Sequence, residues 1–276
     1  MNPVGGPGEA RRIVAIGGGG FGVAPGDPAL DRYVLDFSGA RSPRICLLPT
    51  ASGDPEEQVA RFYRAYRDLD CEPSHVSLFR LGTRPVDLRT VLLGQDVIYV
   101  GGGSLLNLLA VWRVHGVDRI LREAWGRGIV LAGISAGSMC WFRAGVTKGY
   151  GEPRCVHGMG LLPASNSVHY RDDPARRPCF LEAIRTEAAP PGYGVDDGAA
   201  LMFAGRDLVE VVSARPGAGA RWVEEAYGEA VEVPLKARGL APPEPDPVPI
   251  SIAEFREEHR RRLLGGRDGG LAAKGG

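Results

Sequence analysis

The segment Gly133-Ile134-Ser135-Ala136-Gly137 is typical of a turn that presents a nucleophilic serine. It follows the apolar run 129–132 and precedes the run 138–142, so a strand would lead into the turn and a helix out of it. In such a unit the hydroxyl projects from the sheet edge, and small flanking residues let the strand and helix approach closely. We therefore predict that Ser135 is a nucleophile; the alternative is a glycine-rich turn with an incidental serine.

Backbone amides close to this serine could stabilise a developing oxyanion. Ala136 would begin the helix, where amide N–H groups have no helical acceptor. The run 101–104, Gly-Gly-Gly-Ser, also ends an apolar strand and precedes a helical stretch. Its amides could point at the same space, so we predict Ala136 and Gly103 as the oxyanion donors. The run could equally be only a strand-to-helix turn.

A serine hydroxyl needs a general base, and the chain has five histidines. His169 closes a short extended run, 166–168, downstream of Ser135, and it is the best candidate of the five. The others lie in an upstream turn, at a helix end, in a glycine-rich loop and in a charged C-terminal stretch: His75, His115, His157 and His259.

A second glycine pattern, Gly17-x-Gly19-x-x-Gly22, follows the first apolar run and matches the dinucleotide fingerprint. In that fold the second strand ends in an acidic residue about 20 positions later. Here Asp36 lies within a helical stretch, and the next strand begins near Arg44. We interpret the pattern as a tight strand-to-loop turn, and a dinucleotide-binding oxidoreductase remains a third functional alternative.

The elements that must position these residues follow an alternating pattern of apolar β-branched runs and amphipathic helical stretches. This pattern predicts an α/β fold with a mainly parallel sheet and helices on both faces. Later runs near 194–203, 208–212 and 220–223 are expected to complete the same sheet. We predict one domain over 1–239, followed over 240–276 by a proline-rich linker, a charged helix and a flexible tail. The expected strands cover 12–16, 44–48, 75–78, 96–100 and 129–132, and the expected helices 28–37, 56–69, 105–115 and 118–125.

Composition narrows the functional classes. The 276 residues include 33 basic and 33 acidic side chains, so no net charge favours nucleic acid or an anionic membrane as a partner. The N-terminal ten residues lack a signal-like apolar segment, and no apolar run approaches the ~18 residues of a membrane span. Five cysteines without CxxC spacing argue against a disulfide framework and a structural metal site. We expect a cytoplasmic protein.

Four segments resemble the serine peptidase family of dipeptidase E and cyanophycinase. They are VGGGSLLNLLAVWRVHG (100–116), LAGISAGSMCWF (131–142), GLLPASNSVHY (160–170) and YGVDDGAAL (193–201). The resemblance covers roughly residues 10 to 225. It implies a fold like that of class I glutamine amidotransferases, with Ser135 as nucleophile and His169 as base. It also implies cleavage of small peptides or aspartyl-containing polymers, without a metal or an organic cofactor.

The sequence departs from this family at the triad acid. Relatives often carry Thr-Asp-Ser soon after the nucleophile helix, whereas this chain has Thr-Lys-Gly at 147–149. Lys148 cannot accept a hydrogen bond from the histidine. Glu152 is the first substitute to consider, because no other carboxylate lies between Ser135 and His169; a solvated loop charge is its alternative role. Asp197 is the second, because relatives commonly carry an acidic residue in that motif.

Two further positions bear on substrate contacts. Relatives often have asparagine where this chain has Ser104, so an amide contact to substrate could be lost. Arg176 and Arg177 follow His169 by seven and eight residues, where relatives carry arginines that meet an acidic side chain. An arginine fork suits a carboxylate, so we predict a substrate-binding role; a solvated pair is the alternative.

Besides the dinucleotide-binding oxidoreductase, two functional hypotheses stand. The first is a serine peptidase that hydrolyses short, Asp-containing peptides through an acyl-enzyme. The second, motivated by Lys148 and Ser104, is a catalytically weakened or silent relative that binds small peptides or an acidic metabolite. A small peptide is the expected partner in both, and the protein could form a homodimer.

Overall fold

The structure, a computed structural model, describes residues 11–22, 28–148 and 151–240. The linker, helix and tail predicted beyond residue 240 lie outside the described residues, so that domain boundary stays a prediction. Within the described residues, no helix combines the length and apolar character that crossing a membrane requires.

Strands and helices alternate in the first part of the described chain, whereas mainly strands follow residue 142. The strands are β1 (Arg12–Ile16), β2 (Arg44–Leu48), β3 (Glu72–His75), β4 (Val97–Val100), β5 (Val130–Ile134), β6 (Phe142–Thr147), β7 (Arg154–His157), β8 (Leu162–Val168), β9 (Gly192–Val195), β10 (Ala199–Ala204), β11 (Asp207–Ser213), β12 (Ala220–Ala226), β13 (Glu229–Leu235) and β14 (Arg238–Gly239). The helices are α1 (Ala29–Ser38), α2 (Glu56–Tyr66), α3 (Leu88–Leu93), α4 (Leu105–His115), α5 (Val117–Gly126), α6 (Ala136–Met139) and α7 (Arg176–Arg185).

The first sheet has eight strands in the order β14-β11-β10-β1-β5-β4-β2-β3. Strands β1, β5, β4, β2 and β3 are parallel, and β10 runs antiparallel beside β1. The carboxyl ends of the parallel strands therefore meet at one edge, where open α/β sheets place their functional sites. The predicted fold class is confirmed.

Both faces of this sheet are covered, which explains why its central strands are apolar at successive positions. On one face Ile13 packs in a cluster with residues of α3, α4 and α5, including Trp112. On the other face Val14 packs with residues of α1 and α2, including Val34 and Phe62. The sheet is thus held rigidly between two helical layers.

A second sheet of six strands has the order β13-β12-β9-β8-β6-β7, with α7 packed against it. The expectation that all later runs complete the first sheet is therefore wrong: β10 and β11 join it, whereas β9 and β12 belong to the second sheet. Apolar alternation marks a strand but does not identify its partner.

The strand expected at 75–78 lies earlier in the chain, at β3, followed by a 3₁₀ turn at Leu78–Arg80. β3 is one of the two edge strands of the first sheet and contains Pro73, which an edge strand tolerates because one side of its backbone needs no ladder partner.

Candidate active site

Ser135 lies between β5 and α6, in the strained turn that the sequence predicts. Its φ of 55° and ψ of −114° are unusual for a residue with a side chain. The flanking glycines are required by close packing: a Cβ on Gly133 would lie 2.1 Å from the Gly137 carbonyl oxygen, and one on Gly137 would lie 2.2 Å from that of Val100. The Ser135 amide donates to the Ile16 carbonyl at 3.1 Å, which fixes the turn to β1.

His169 lies beside this serine. Its Nε2 is 2.9 Å from Ser135 Oγ, and its Nδ1 is 2.5 Å from Asp197 Oδ1. With Asp197 ionised, Nδ1–H donates to the carboxylate and Nε2 can accept the serine proton. His169 and Asp197 side chains are each about three-tenths exposed, at 28% and 30%, so solvent and substrate can reach the group.

The two sheets bring these three residues together. His169 follows β8 and Asp197 follows β9, and these strands are parallel neighbours whose last residues, Val168 and Val195, are paired. Ser135 comes from the carboxyl end of β5 in the first sheet. A single bridge between Gly18 and Asp197 joins the end of β1 to the acid-bearing turn. The site therefore lies where carboxyl strand ends of both sheets converge.

The glycine pattern at 17–22 forms a wall of this site. A Cβ on Gly18 would lie 2.0 Å from Asp197 Oδ1 and 2.9 Å from His169 Cε1. The turn leads into a 3₁₀ turn at Gly20–Gly22, and the next helix among the described residues is α1, which begins at Ala29, so no α-helix of a dinucleotide site begins in the described part of this turn. The interpretation as a tight turn is supported, and Gly18 lets that turn approach Asp197 and His169 closely.

The two predicted oxyanion donors differ in their surroundings. Ala136 is buried and directly follows Ser135 as the first residue of α6. Gly103 packs against the main chain at Ala51: a Cβ on Gly103 would lie 2.3 Å from the Ala51 carbonyl oxygen. Gly102 is the glycine of this run that faces the serine, with a Cβ there lying 3.8 Å from Ser135 Oγ. Sequence reasoning singled out the run but not this member of it.

Ser104, the next residue in that run, caps a helix. Its Oγ accepts the amide hydrogen of Asn107 at 3.3 Å, at the N-terminus of α4. A serine is a favourable N-cap, so this departure from relatives retains a structural role.

The carboxylate on His169 is Asp197, and the preference for Glu152 as the first substitute is not supported by the geometry. Glu152 is exposed in the segment between β6 and β7 and has no hydrogen bond to His169. The His169 Nδ1 has one proton to donate, and Asp197 accepts it. The residue order favoured Glu152, whereas the parallel pairing of β8 and β9 brings Asp197 to the histidine.

Lys148 has a partner of its own near the histidine turn. Its Nζ lies 3.2 Å from Asp173 Oδ1, and the Asp173 amide donates to the His169 carbonyl at 2.8 Å. Burial alone would raise the pKa of Asp173, but the hydrogen bond from Lys148 and the charges of Lys148 and Arg176 lower it overall. The lysine therefore anchors the turn that carries the base.

Arg176 and Arg177 are engaged by the protein itself, which argues against the predicted substrate contacts. Arg176 is buried, with Nη1 donating to the Val146 carbonyl at 2.5 Å and Nε to Asp173 Oδ2 at 3.3 Å. Arg177 forms an ion pair with Glu232 of β13, with Nε 3.0 Å from Oε2. Two nitrogens of each guanidinium donate to local acceptors, so neither arginine presents a free fork to a ligand.

No cluster of three or more histidine, cysteine or carboxylate side chains suited to a metal ion occurs in the part of the chain that the structure describes. The chemistry that the arranged side chains can perform is proton transfer from Ser135 to His169, with Asp197 orienting the imidazole.

Comparison with known proteins agrees with this chemistry. The model of peptidase family S51 matches residues 13–211. A relative from Bacillus subtilis (strain 168), the uncharacterized peptidase YgaJ, is 46% identical over 230 residues, covering 83% of this chain and 99% of that protein. Peptidase E of Shewanella denitrificans is 28% identical over 161 residues, or 55% of this chain and 66% of that protein.

Two solved structures are similar in fold. A peptidase from an acI-B1 Actinobacterium superposes with a TM-score of 0.62 at 18% identity, covering 82% of this chain and 94% of its own. A putative peptidase E from Listeria monocytogenes EGD-e gives a TM-score of 0.51 at 20% identity, with 72% and 96% coverage. At these identities the likeness supports the fold.

Proposed function

Because this chain belongs to peptidase family S51 and is a peptidase, we propose that Ser135, His169 and Asp197 are its catalytic triad. We further propose that it hydrolyses short, Asp-containing peptides through an acyl-enzyme. One observation carries the proposal: a continuous hydrogen-bonded series from Asp197 Oδ1 through His169 to Ser135 Oγ, with distances of 2.5 and 2.9 Å.

In the first half-reaction His169 Nε2 takes the proton of Ser135 as Oγ attacks the scissile carbonyl carbon. The tetrahedral oxyanion is stabilised by the Ala136 amide and by an amide of the run that contains Gly102. Collapse of this intermediate breaks the C–N bond, and the proton on His169 passes to the leaving amine. An ester between Ser135 and the acyl part of the substrate remains.

In the second half-reaction water replaces the amine. His169 takes a proton from the water as its oxygen attacks the ester carbonyl, and then returns a proton to Ser135 Oγ as the acid product leaves. Asp197 remains ionised throughout; it selects the tautomer with the proton on Nδ1 and stabilises the imidazolium. A complete set of nucleophile, base and acid favours an active enzyme over a silent relative.

The acidic substrate preference rests on the resemblance to dipeptidase E and cyanophycinase. With Arg176 and Arg177 held by protein acceptors, an acidic side chain needs another cation. Lys148 is a candidate, because its side chain is 44% exposed and is anchored to the turn that carries His169. A substrate carboxylate there would share the ammonium with Asp173.

A fluorophosphonate probe followed by peptide mapping tests the triad. We expect covalent labelling of Ser135, with none in Ser135→Ala, and first-order hydrolysis of at least one dipeptide. The panel should compare Asp-Leu with Asn-Leu and Leu-Leu. Asn-Leu removes only the charge of the acidic side chain, whereas Leu-Leu replaces the side chain itself. Labelling without any preference for Asp-Leu would retain the triad and remove the acidic specificity; no labelling and no turnover would favour the binding protein.

We also propose that the protein acts in the cytoplasm. All five cysteines lie among the described residues and are free thiols, as a reducing compartment would keep them.

A further inference from the structure

The turn that carries His169 also carries a second carboxylate, three residues later, that contacts the acid-bearing turn. Asp172 Oδ2 accepts the amide hydrogen of Asp197 at 3.1 Å. Its other oxygen, Oδ1, accepts from Arg215 Nη2 at 2.9 Å. Asp172 therefore joins the base-bearing turn to the main chain of the residue that orients the base.

We propose that Asp172 is a positioning residue that sets the distance between Asp197 and His169, with Arg215 as its support. This inference rests on the proposed triad. Asp172 does not touch Ser135 in this arrangement; it acts through the backbone of Asp197. A hydrogen bond of 2.5 Å from Nδ1 to Oδ1 requires the acid to be held closely, and the Asp172 contact fixes the peptide group from which that acid projects.

The peptide group after Asp197 is held from two sides. Gly198 donates its amide to the Gly18 carbonyl at 2.8 Å. Arg215 packs against Gly198, where a Cβ would lie 2.7 Å from Arg215 Cβ. The acid-bearing turn is thus clamped between the glycine wall on one side and the Asp172–Arg215 pair on the other.

Electrostatics supports an ionised Asp172 at neutral pH. Burial raises its pKa, but hydrogen bonds from Arg215 and the Asp197 amide, with the charges of Arg215 and His169, lower it overall. An ionised carboxylate accepts both hydrogen bonds better than a neutral acid would. It also adds a second negative charge beside the imidazolium that forms during catalysis.

The fold does not depend on this contact alone, so variants of Asp172 should remain folded. Arg171 Nε donates to Asp196 Oδ2 at 2.7 Å, and the Tyr170 amide donates to the Val195 carbonyl at 3.1 Å. Both bonds join the same two segments. Loss of the Asp172 side chain should therefore displace Asp197 without separating the turns.

Asp96 offers a matched control at the far end of the first sheet. Its carboxylate also accepts a main-chain amide, that of Arg44 at 2.9 Å, and an arginine fork, with Nε and Nη2 of Arg44 at 3.1 Å. The two carboxylates are equally exposed, 30% for the Asp96 side chain and 29% for Asp172. Asp96→Ala removes the same kinds of bond, an amide and an arginine contact, with one arginine hydrogen bond more than at Asp172, and it does so away from the strand ends that carry Ser135 and His169.

The experiment compares Asp172→Ala, Asp172→Asn, Arg215→Ala and Asp96→Ala with the wild type. We expect Asp172→Ala to lower kcat and the fluorophosphonate labelling rate by about 10- to 100-fold, with KM changed less than about twofold, because a misplaced acid impairs proton transfer and not substrate binding. Asp172→Asn keeps an acceptor for the Asp197 amide and should recover most of the rate. Asp96→Ala should lose stability but keep wild-type kinetics.

The two proposals fail in different ways. Wild-type protein that is neither labelled nor active would overturn the triad itself. Labelled, active wild type with unchanged rates in Asp172→Ala and Arg215→Ala would overturn the positioning role alone. Equal losses in Asp172→Ala and Asp96→Ala would show a general stability effect, which also overturns it. If Asp172→Ala does not fold, Arg215→Ala provides the comparison through the same kcat and KM measurements, and unchanged values in Arg215→Ala then overturn the positioning role.

Discussion

Two histidines with hydrogen-bonded Nδ1 atoms lie in contrasting surroundings. His169 lies at the carboxyl strand ends beside Ser135 and Asp197. His75 lies at the edge strand β3, beside a cavity of about 540 Å³, and its Nδ1 pairs with the Tyr63 hydroxyl at 2.8 Å. The groove at His75 is spacious, yet no hydroxyl–imidazole–carboxylate series occurs among its described lining residues.

The charges around the two rings differ in kind. Burial lowers the pKa of His75, and Arg80 and Arg84 lower it further against an opposing effect of Asp54. His169 instead has a carboxylate on its Nδ1. A general base must accept a proton and hold it, so a carboxylate neighbour favours catalysis and two cationic neighbours oppose it.

The walls of the two regions differ as well. Glycines surround the triad so tightly that a Cβ at position 18 or 133 would collide with atoms about 2 Å away. The lining of the His75 groove is made of side chains: Asp54, Glu56, Val59, Ala60, Tyr63, His75, Val76, Ser77, Arg80, Arg84 and Val86. Open volume therefore does not coincide with the proposed triad in this protein, whereas converging strand ends and close approach of the backbone do.

The largest expected effect comes from removing the proposed nucleophile, Ser135, or the proposed base, His169. Ser135→Ala and His169→Ala should each lower kcat by about 10⁶-fold, and the double variant should be little worse, because the members of a triad act as a unit. Steady-state hydrolysis of one good dipeptide measures this, with circular dichroism to confirm folding. Additive losses would indicate separate roles for the two residues.

The next largest effect distinguishes the two candidate carboxylates, Asp197 and Glu152. Asp197→Asn should lower kcat by about 10⁴-fold, since an amide supports the wrong histidine tautomer. Glu152→Gln should leave kcat within about twofold, as expected of an exposed charge without a bond to His169. If Glu152→Gln instead lowered kcat more than Asp197→Asn, the triad acid would be Glu152, between β6 and β7.

The comparison of Asp197 with Glu152 also shows which residues of the site the sequence alone could predict. Ser135 and His169 are predictable because each stands in a local motif, and β1, β2 and α4 begin and end where their apolar patterns do. Asp197 could not be ranked above Glu152, because its place depends on the pairing of β9 with β8. Pairing is a property of the whole fold, and for the same reason the second sheet was missed.

Gly18 could not be recognised as a wall of the site, because the atoms that it approaches are more than 150 positions away in the chain. Gly18→Ala should displace Asp197 and lower kcat by about 10²-fold, the usual cost of misplacing a catalytic group by about 1 Å. Gly82→Ala is a matched control, since a Cβ at that position meets no atom within 4 Å. Equal kinetics in the two variants would show that the acid tolerates displacement.

A smaller effect is expected at Lys148, the position at which relatives often carry the triad aspartate. Lys148→Asp should leave kcat no higher, because the His169 Nδ1 already has Asp197; it should raise KM for Asp-Leu if Lys148 meets the substrate carboxylate, and it should place a like charge against Asp173. Because the ion pair is partly exposed, with side chains 44% and 21% exposed, we expect a loss of about 1 kcal/mol or less in the free energy of unfolding. Lys148→Gln, measured beside it by urea denaturation, should lose less. A raised rate in Lys148→Asp would indicate a decayed triad.

The smallest expected effect on catalysis lies in the groove beside His75. His75→Asn removes the hydrogen bond to Tyr63 and should leave kcat/KM within about twofold, because His75 lies in the groove beside β3 and not beside Ser135.

The consequence of His75→Asn should appear in stability instead. The folded pKa of His75 is lowered, so the unfolded chain binds a proton more readily and wild-type stability falls as the pH drops below the unfolded histidine pKa of about 6.5. His75→Asn removes this contribution, so the difference between variant and wild-type Tm should shift in favour of the variant between pH 7 and pH 5. Thermal melts over that range, with parallel kinetics, measure both; a large loss of kcat/KM in His75→Asn would mean that the groove takes part in catalysis and that the two regions are not independent.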